Sequence, residues 1–236
     1  MKLFCFPHAG GLASYYSFIK KARYISISET LVYEYPGRGT RFREDPAELF
    51  SEYVQDALKF VVSNLNGESF ALFGHSMGAF IAYEVSMKLI KEGNSPELVI
   101  ISGQKPPCYV FHEYYDVTFD ELIKVLKRMG GIPEEIENSP QIIRLLMDAA
   151  YKDVRLLKTY TPTVADRQNK IPEGIVLYGD DDIEIKQCDM KLWERNIGNI
   201  LLYREFSGNH FYLKNHEEEI VEIIDQYCSD QYTGMK

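Results

Sequence analysis

Six short apolar runs, each closed by glycine or by a proline-glycine step, frame this 236-residue chain. They are Leu3 to Pro7, Thr30 to Tyr35, Ser69 to Phe73, Glu97 to Ser102, Gly174 to Tyr178 and Asn199 to Phe206. Runs this short and this apolar fit strands buried on both faces. Between them, Asp45 to Asn64, Met77 to Glu92 and Glu217 to Tyr227 place apolar residues at helical spacing. Strands alternating with helices predict an α/β fold: a mostly parallel sheet of about six strands, helices on both faces, and ligands at the carboxyl ends of the strands.

One stretch breaks the alternation. From Gln104 to Lys170 no strand pattern emerges, while Phe119 to Met129 and Pro140 to Tyr160 read as helices. So long an insertion is expected to be functional, and we read 104–170 as a helical lid. It interrupts a core made of residues 1–103 and 171–236. Gly130-Gly131 is a candidate hinge for lid motion.

Composition narrows the function. Hydrophobic residues make up 45% of the chain, which excludes a disordered protein. Acidic residues outnumber lysine and arginine 35 to 26, giving a net charge of −9. Such a chain is a poor general nucleic-acid binder, because phosphate binding needs a basic face. No run approaches the roughly 18–20 apolar residues of a membrane span. The N-terminal apolar run is shorter than the core of a signal peptide, about 7–15 residues, so a cytoplasmic location is expected. Cys5, Cys108, Cys188 and Cys228 lie far apart, with no CxxC pair and five histidines in all. No metal site is expected, and the thiols are read as reduced.

The chemistry concentrates at Gly74-His75-Ser76-Met77-Gly78. This is G-x-S-x-G, placed between an apolar run and an amphipathic helix, as a nucleophile elbow requires. It makes Ser76 the candidate nucleophile. A serine hydroxyl needs an adjacent base, and in α/β-hydrolases the order is Ser, then Asp or Glu, then His. His210, just past the last strand, is the candidate base. His112 falls in the lid and His216 begins the final helix, so both are read as surface or packing residues. Gly179-Asp180-Asp181-Asp182 offers three carboxylates. The G-x-x-D turn common in such hydrolases selects Asp182 to orient His210, with Asp181 the runner-up. An oxyanion hole needs two backbone N–H donors. Met77, after the nucleophile, supplies one. By analogy with the HG-x pattern, Ala9 in Pro7-His8-Ala9-Gly10-Gly11 supplies the other. His8 is read as shaping that loop.

Together with Phe6-Pro7-His8-Ala9-Gly10-Gly11, Pro36-Gly37-Arg38-Gly39-Thr40-Arg41 and Gly208-Asn209-His210, these motifs resemble the type II thioesterases of non-ribosomal peptide and polyketide synthesis. Met129-Gly130-Gly131-Ile132-Pro133-Glu134 and Tyr151-Lys152-Asp153-Val154-Arg155 look like that family's lid segments. The resemblance covers essentially the whole chain. Gly39 stands where the family often has an acidic residue. The resemblance also implies that two leading strands of the full α/β-hydrolase sheet are absent, leaving the Leu3 to Phe6 edge less protected.

The resemblance implies an enzyme that hydrolyses aberrant or stalled acyl groups from the phosphopantetheine thiol of acyl or peptidyl carrier domains. Some relatives release medium-chain fatty acids. The cofactor then sits on the partner, the chain itself needs no metal or nucleotide, and a monomer is expected. Carriers of this kind are acidic, as this chain is, so docking falls to local cations. Arg38 and Arg41 are the candidates, with Arg43, Lys124, Lys127 and Arg128 beside them. Phe111, Tyr114 and Tyr115 are candidates for lining an acyl channel. The competing expectations are a small-molecule carboxylesterase and a non-catalytic member that kept the fold.

Overall fold

Strand residues alternate between two buried faces, and the two halves of the core follow that alternation. Phe4, Phe6, Leu72, Val99, Ile101 and Val176 face one hydrophobic cluster. Leu3, Cys5, Ala71, Phe73, Ile100 and Ile175 face the other. With period two and both faces covered, every inward and outward position must be apolar, which explains the unbroken runs. The structure, a computed structural model, describes residues 1–109, 116–132, 136, 138–166 and 169–229.

The strands are β1 (Lys2–Phe6), β2 (Glu29–Val32), β3 (Phe70–His75), β4 (Leu98–Ser102), β5 (Ile171–Gly179) and β6 (Ile197–Phe206). They form one sheet in the order β2-β1-β3-β4-β5-β6, and every pair is parallel. The helices are α1 (Ser17–Lys21), α2 (Phe50–Leu65), α3 (Met77–Lys91), α4 (Phe119–Arg128), α5 (Pro140–Leu156), α6 (Gln187–Met190) and α7 (Glu217–Cys228). Side chains of α2 and α3 fill the first cluster. Those of α1 and α7 fill the second. The mostly parallel six-stranded sheet is as expected. The unprotected first strand is not: β1 is flanked by β2 and β3, so the edges are β2 and β6. The chain from β1 crosses to the outside before returning, which covers β1 and leaves a four-residue strand at that edge.

The order reverses between β1 and β3, since β1 leads outward to β2 and β3 leads the other way to β4. The loops leaving these two strands diverge and leave a crevice at their carboxyl ends. Ser76 follows β3 and the Pro7 to Gly11 loop follows β1, so both border it.

Between β4 and β5 the described residues contain helices and no strand. α4 starts with a reciprocal cap: Thr118 Oγ1 accepts from the Glu121 N–H at 3.3 Å, and the Thr118 N–H donates to the Glu121 carboxylate at 2.8 Å. The exit of the insertion is stitched to the core. The Phe50 N–H donates to Thr159 Oγ1 at 2.8 Å. The carboxylate of Glu84 on α3, buried, accepts from the Tyr160 hydroxyl at 2.8 Å and the Thr163 N–H at 2.8 Å. No helix among the described residues is long and apolar enough to cross a membrane.

Among the glycines of the described residues, the elbow leaves the least room for a side chain. A Cβ on Gly78 would sit 1.9 Å from the Phe6 carbonyl oxygen, and one on Gly74 would sit 2.2 Å from that of Gly78. Both neighbours are backbone and cannot step aside. Gly78→Ala is expected to destabilise the chain by about 3 kcal/mol through overpacking. Urea unfolding of the variant beside wild type measures it.

Candidate active site

Ser76 holds a conformation that side chains rarely adopt, with φ 55° and ψ −122°. Such backbone strain costs about 1–3 kcal/mol and persists only where the surroundings impose it. Here the Ser76 N–H is held by the Ser102 carbonyl at 2.8 Å, and the two motif glycines allow α3 to start directly against β1. The turn lifts the serine out of the strand into a cavity of about 320 Å³.

Ser76, His210, Ala9 and Met77 all line this cavity. Met77 is the first residue of α3, so its N–H has no partner within the helix and lies at the positive end of the helix dipole. His210 is buried, and its Nδ1 lies 2.6 Å from Asp182 Oδ2. The other oxygen of Asp182 accepts from the Glu184 N–H at 3.0 Å, which fixes the carboxylate. With Nδ1 directed at Asp182, Nε2 is the nitrogen left to accept a proton. Asp181 is exposed, and its N–H donates to the Gly208 carbonyl at 3.0 Å. Asp180 accepts from the Gly208 N–H at 2.8 Å. The two neighbouring aspartates therefore hold the loop before His210, while Asp182 meets the imidazole.

Two more histidines border this site. His8 Nδ1 lies 2.8 Å from the Tyr16 hydroxyl, and burial, with the nearby charges of His210, Arg38 and Lys214, pushes its pKa down to about 3. His75 is fully buried, with Nδ1 2.8 Å from Ser102 Oγ, which in turn lies 2.6 Å from the Tyr212 hydroxyl. Burial, reinforced by His210 and His8, holds its pKa well below the usual value. Both rings stay neutral, so a positive charge on His210 during a reaction meets no second imidazolium.

The roof is apolar. Leu122, Val125, Leu126 and Met129 line the cavity from α4 and its end, and Val154 and Leu157 line it from α5 and the turn beyond. A strained serine, a buried Asp-His pair, a helix N-terminus and an apolar chamber are what acyl transfer through a serine ester needs.

Residues 1–228 match the family model of the thioesterase domain. The chain belongs to the thioesterase domain family. It is 30% identical over 228 residues to a probable cadicidin biosynthesis thioesterase of Streptomyces griseus, covering 96% of this chain and 62% of that protein. It is also 30% identical to the medium-chain S-acyl fatty acid synthase thioesterase of Anas platyrhynchos, covering 92% and 87%. Among solved structures it is similar to BorB, a type II thioesterase from the borrelidin biosynthetic cluster, with 28% identity and a TM-score of 0.82 over 97% of this chain and 92% of that one.

The structure pairs both expected docking arginines with carboxylates of this chain. Arg38 is buried, and its Nη2 donates to Asp153 Oδ1 at 2.6 Å and to the Tyr53 hydroxyl at 3.3 Å. Burial opposes its charge, but Asp153 outweighs burial and the net pKa is raised. Arg41 is neutralised by Glu44 and by Asp56, the latter at 2.5 Å. Arg38 is turned inward, while Arg41 keeps about a quarter of its side chain exposed and is paired with carboxylates of its own chain. Arg43, Lys124, Lys127 and Arg128 are exposed. His216 Nε2 lies 2.8 Å from the Ser207 carbonyl and braces the loop. Phe111, Tyr114, Tyr115 and His112 lie outside the described residues.

Two residues escaped the sequence reading. Asp153 is an acid with no solvent exposure on the buried stripe of α5, after Ile143 and Ala150 and before Leu157. An aspartate at the spacing of a buried apolar stripe was the available signal. Tyr212, two positions beyond His210, reads as an ordinary aromatic and serves to hold Ser102 against His75.

The neutral state of His75 has a measurable consequence. The unfolded chain takes up a proton near pH 6.5 that folded His75 refuses, so stability falls as the pH drops below that value. For one such group the loss between pH 8 and pH 5 is about 2 kcal/mol. In urea titrations at those two pH values, His75→Gln is expected to show a smaller acid loss than wild type.

Proposed function

We propose that this chain hydrolyses acyl groups from the phosphopantetheine thiol of carrier domains, clearing aberrant or stalled units through an acyl-Ser76 intermediate. The observation that carries the reading is the buried His210–Asp182 contact at 2.6 Å beside a strained Ser76 at one apolar cavity. The names of the relatives support the biosynthetic setting, since the BorB protein is a type II thioesterase of such a cluster.

In this mechanism Ser76 Oγ attacks the thioester carbonyl carbon and its proton passes to His210 Nε2. The Met77 and Ala9 N–H groups take the charge developing on the carbonyl oxygen. The C–S bond breaks, and the departing thiolate takes the proton from His210. Water then gives a proton to His210 and attacks the acyl-serine carbon. The C–Oγ bond breaks, Ser76 recovers its proton, and a carboxylic acid is released. Asp182 keeps the imidazole in the tautomer with Nε2 free and stabilises its cation. The phosphopantetheine arrives with the partner, and these steps call for no metal or nucleotide on this chain. Exposed Lys124 and Arg128 on α4 stand near the roof and are docking cations alongside partly exposed Arg41.

A second reading, release of medium-chain fatty acids, draws on the apolar walls of the cavity and on the similarity to the Anas platyrhynchos enzyme. The two readings part on substrate. Hydrolysis of an acetyl-loaded carrier domain is compared with that of the matched acetyl thioester without protein, and with a free medium-chain acyl thioester. The editing reading expects a Ser76-dependent preference for the carrier-bound acetyl group. Faster release of the free medium-chain acyl group would favour the second.

Ser76→Ala is expected to lower turnover by about six orders of magnitude. Asp182→Asn is expected to lower it by about four, and Asp181→Asn to leave it within about twofold, since exposed substitutions away from a site are near neutral. Steady-state rates on an acyl thioester separate these cases, and a severe Asp181→Asn would displace Asp182 from its role.

A further inference from the structure

The loop that carries Ala9 is a tight turn with a choice built into it. The Gly11 N–H donates to the His8 carbonyl at 2.9 Å, closing a β-turn over residues 8–11. Gly10, its third residue, has φ +75°, the value a type II turn demands there. Glycine reaches positive and negative φ with similar ease, so the Ala9–Gly10 peptide could as well sit the other way round. Something outside the turn must decide the flip.

Asp153 stands at that peptide. Its Oδ2 accepts the Gly10 N–H at 2.7 Å, a charge-assisted bond to an N–H that the flip would turn away. Its Oδ1 accepts from Arg38 Nη2 at 2.6 Å and from the Tyr53 hydroxyl at 3.0 Å. The carboxylate has no solvent exposure, so no water competes for it. Helix α5 presses on the same spot, since a Cβ on Gly10 would sit 2.6 Å from Ala150 Cβ. The rest of the loop is held as well. The Tyr35 hydroxyl donates to the Pro7 carbonyl at 2.8 Å, and the His8 N–H donates to the Tyr16 hydroxyl at 3.1 Å. Backbone groups of Pro7, His8, Gly10 and Gly11 are thus all fixed around Ala9, which lines the cavity.

We propose that Asp153, held by Arg38 and Tyr53, is a positioning residue that pins the turn on the Gly10 side of Ala9 and thereby holds in place the adjoining His8–Ala9 peptide, which carries the Ala9 N–H, for the developing oxyanion. The claim rests on the acyl-transfer reading above and deepens it. It also makes α5 the fixed wall of the oxyanion loop, although the sequence groups it with the lid.

A merely structural anchor would lower stability and leave chemistry alone, so the test separates the two. Asp153→Asn, wild type and Glu84→Gln are compared on a small acyl thioester, which removes carrier docking, and in binding of hexylboronic acid, whose serine adduct places an oxygen in the oxyanion hole. Glu84 is the control, a buried carboxylate that fastens the insertion to α3 away from the loop. Asp153→Asn is expected to lower kcat about 30-fold, less than the loss of a whole oxyanion donor. Its KM should stay within about threefold, and its boronate affinity should fall in proportion to kcat. Glu84→Gln is expected to lower Tm with kcat unchanged. Should Asp153→Asn not fold, Asp153→Leu combined with Arg38→Met removes both charges and keeps the volume. The double variant is expected to fold and to remain slow, because the Gly10 N–H has lost its acceptor.

A folded Asp153 variant with wild-type kcat, or with lowered kcat and undiminished boronate affinity, overturns the proposal. If wild type bound the boronate without turning over any thioester, the thioesterase reading would fall, and the variants' boronate affinities would still decide the role of Asp153.

Discussion

The turn at Ser76 is the constraint on which the site is built. Its dihedral angles are affordable only because β3, α3 and the end of β1 meet with no side chains between them. That contact forces α3 to begin where β1 ends, at the reversal of strand order. The first N–H of the helix and the turn after β1 are therefore brought to the same crevice. A longer turn between β3 and α3 would relax the serine, but it would also separate the helix N-terminus from the loop that faces it. Strain at one residue and placement of the cavity are one feature.

Around this turn the polar groups are buried and mostly paired, although His75 Nε2 has no hydrogen-bond partner among the described residues. His75 reaches Tyr212 through Ser102, His8 is held by Tyr16, and Asp182 divides its oxygens between His210 and a backbone N–H. Each pairing fixes a ring or a carboxylate that burial would otherwise leave unsatisfied, which rigid catalytic geometry needs. The neighbours of His210 are uncharged rings, while its one close ionic partner is Asp182. Burial disfavours a proton on His75 and on His8.

Much of this was legible in the sequence because it is local. The six apolar runs became the six strands, and the elbow could be read from five residues with their flanks. His210 could be placed from its position after the last run. Asp182 needed a pattern to choose it among three aspartates, and the turn geometry explains the choice: Asp180 and Asp181 hold the chain beside Gly208. What stayed hidden is long-range. The interior position of β1 depends on the path of the chain after it. Arg38 reads as a surface cation in a loop, since arginine is seldom fully buried unless paired. Its partner, Asp153, lies 115 residues away in a helix assigned to the lid. A buried ion pair leaves only one sequence trace at each end, here an acid on an apolar stripe and a basic residue after Pro36-Gly37.

Helices α4 and α5 both roof the cavity, yet they bear on it differently. α4 contributes aliphatic side chains, Leu122, Val125 and Leu126, with Arg128 at its end also reaching the cavity. α5 holds the carboxylate that meets the turn after β1. Most of the aliphatic roof is therefore borne by α4, while α5 adds Val154 to it and also holds the turn after β1. The aliphatic positions of α4 can change bulk over generations with little reach into the reacting groups, whereas Gly130 and Gly131 pack against Asn209 and Phe211 beside His210, and the helix after Ser139 meets the turn after β1. A chain partitioned in this way can acquire new acyl preferences by drift in one helix, and can be re-engineered by exchanging that helix alone.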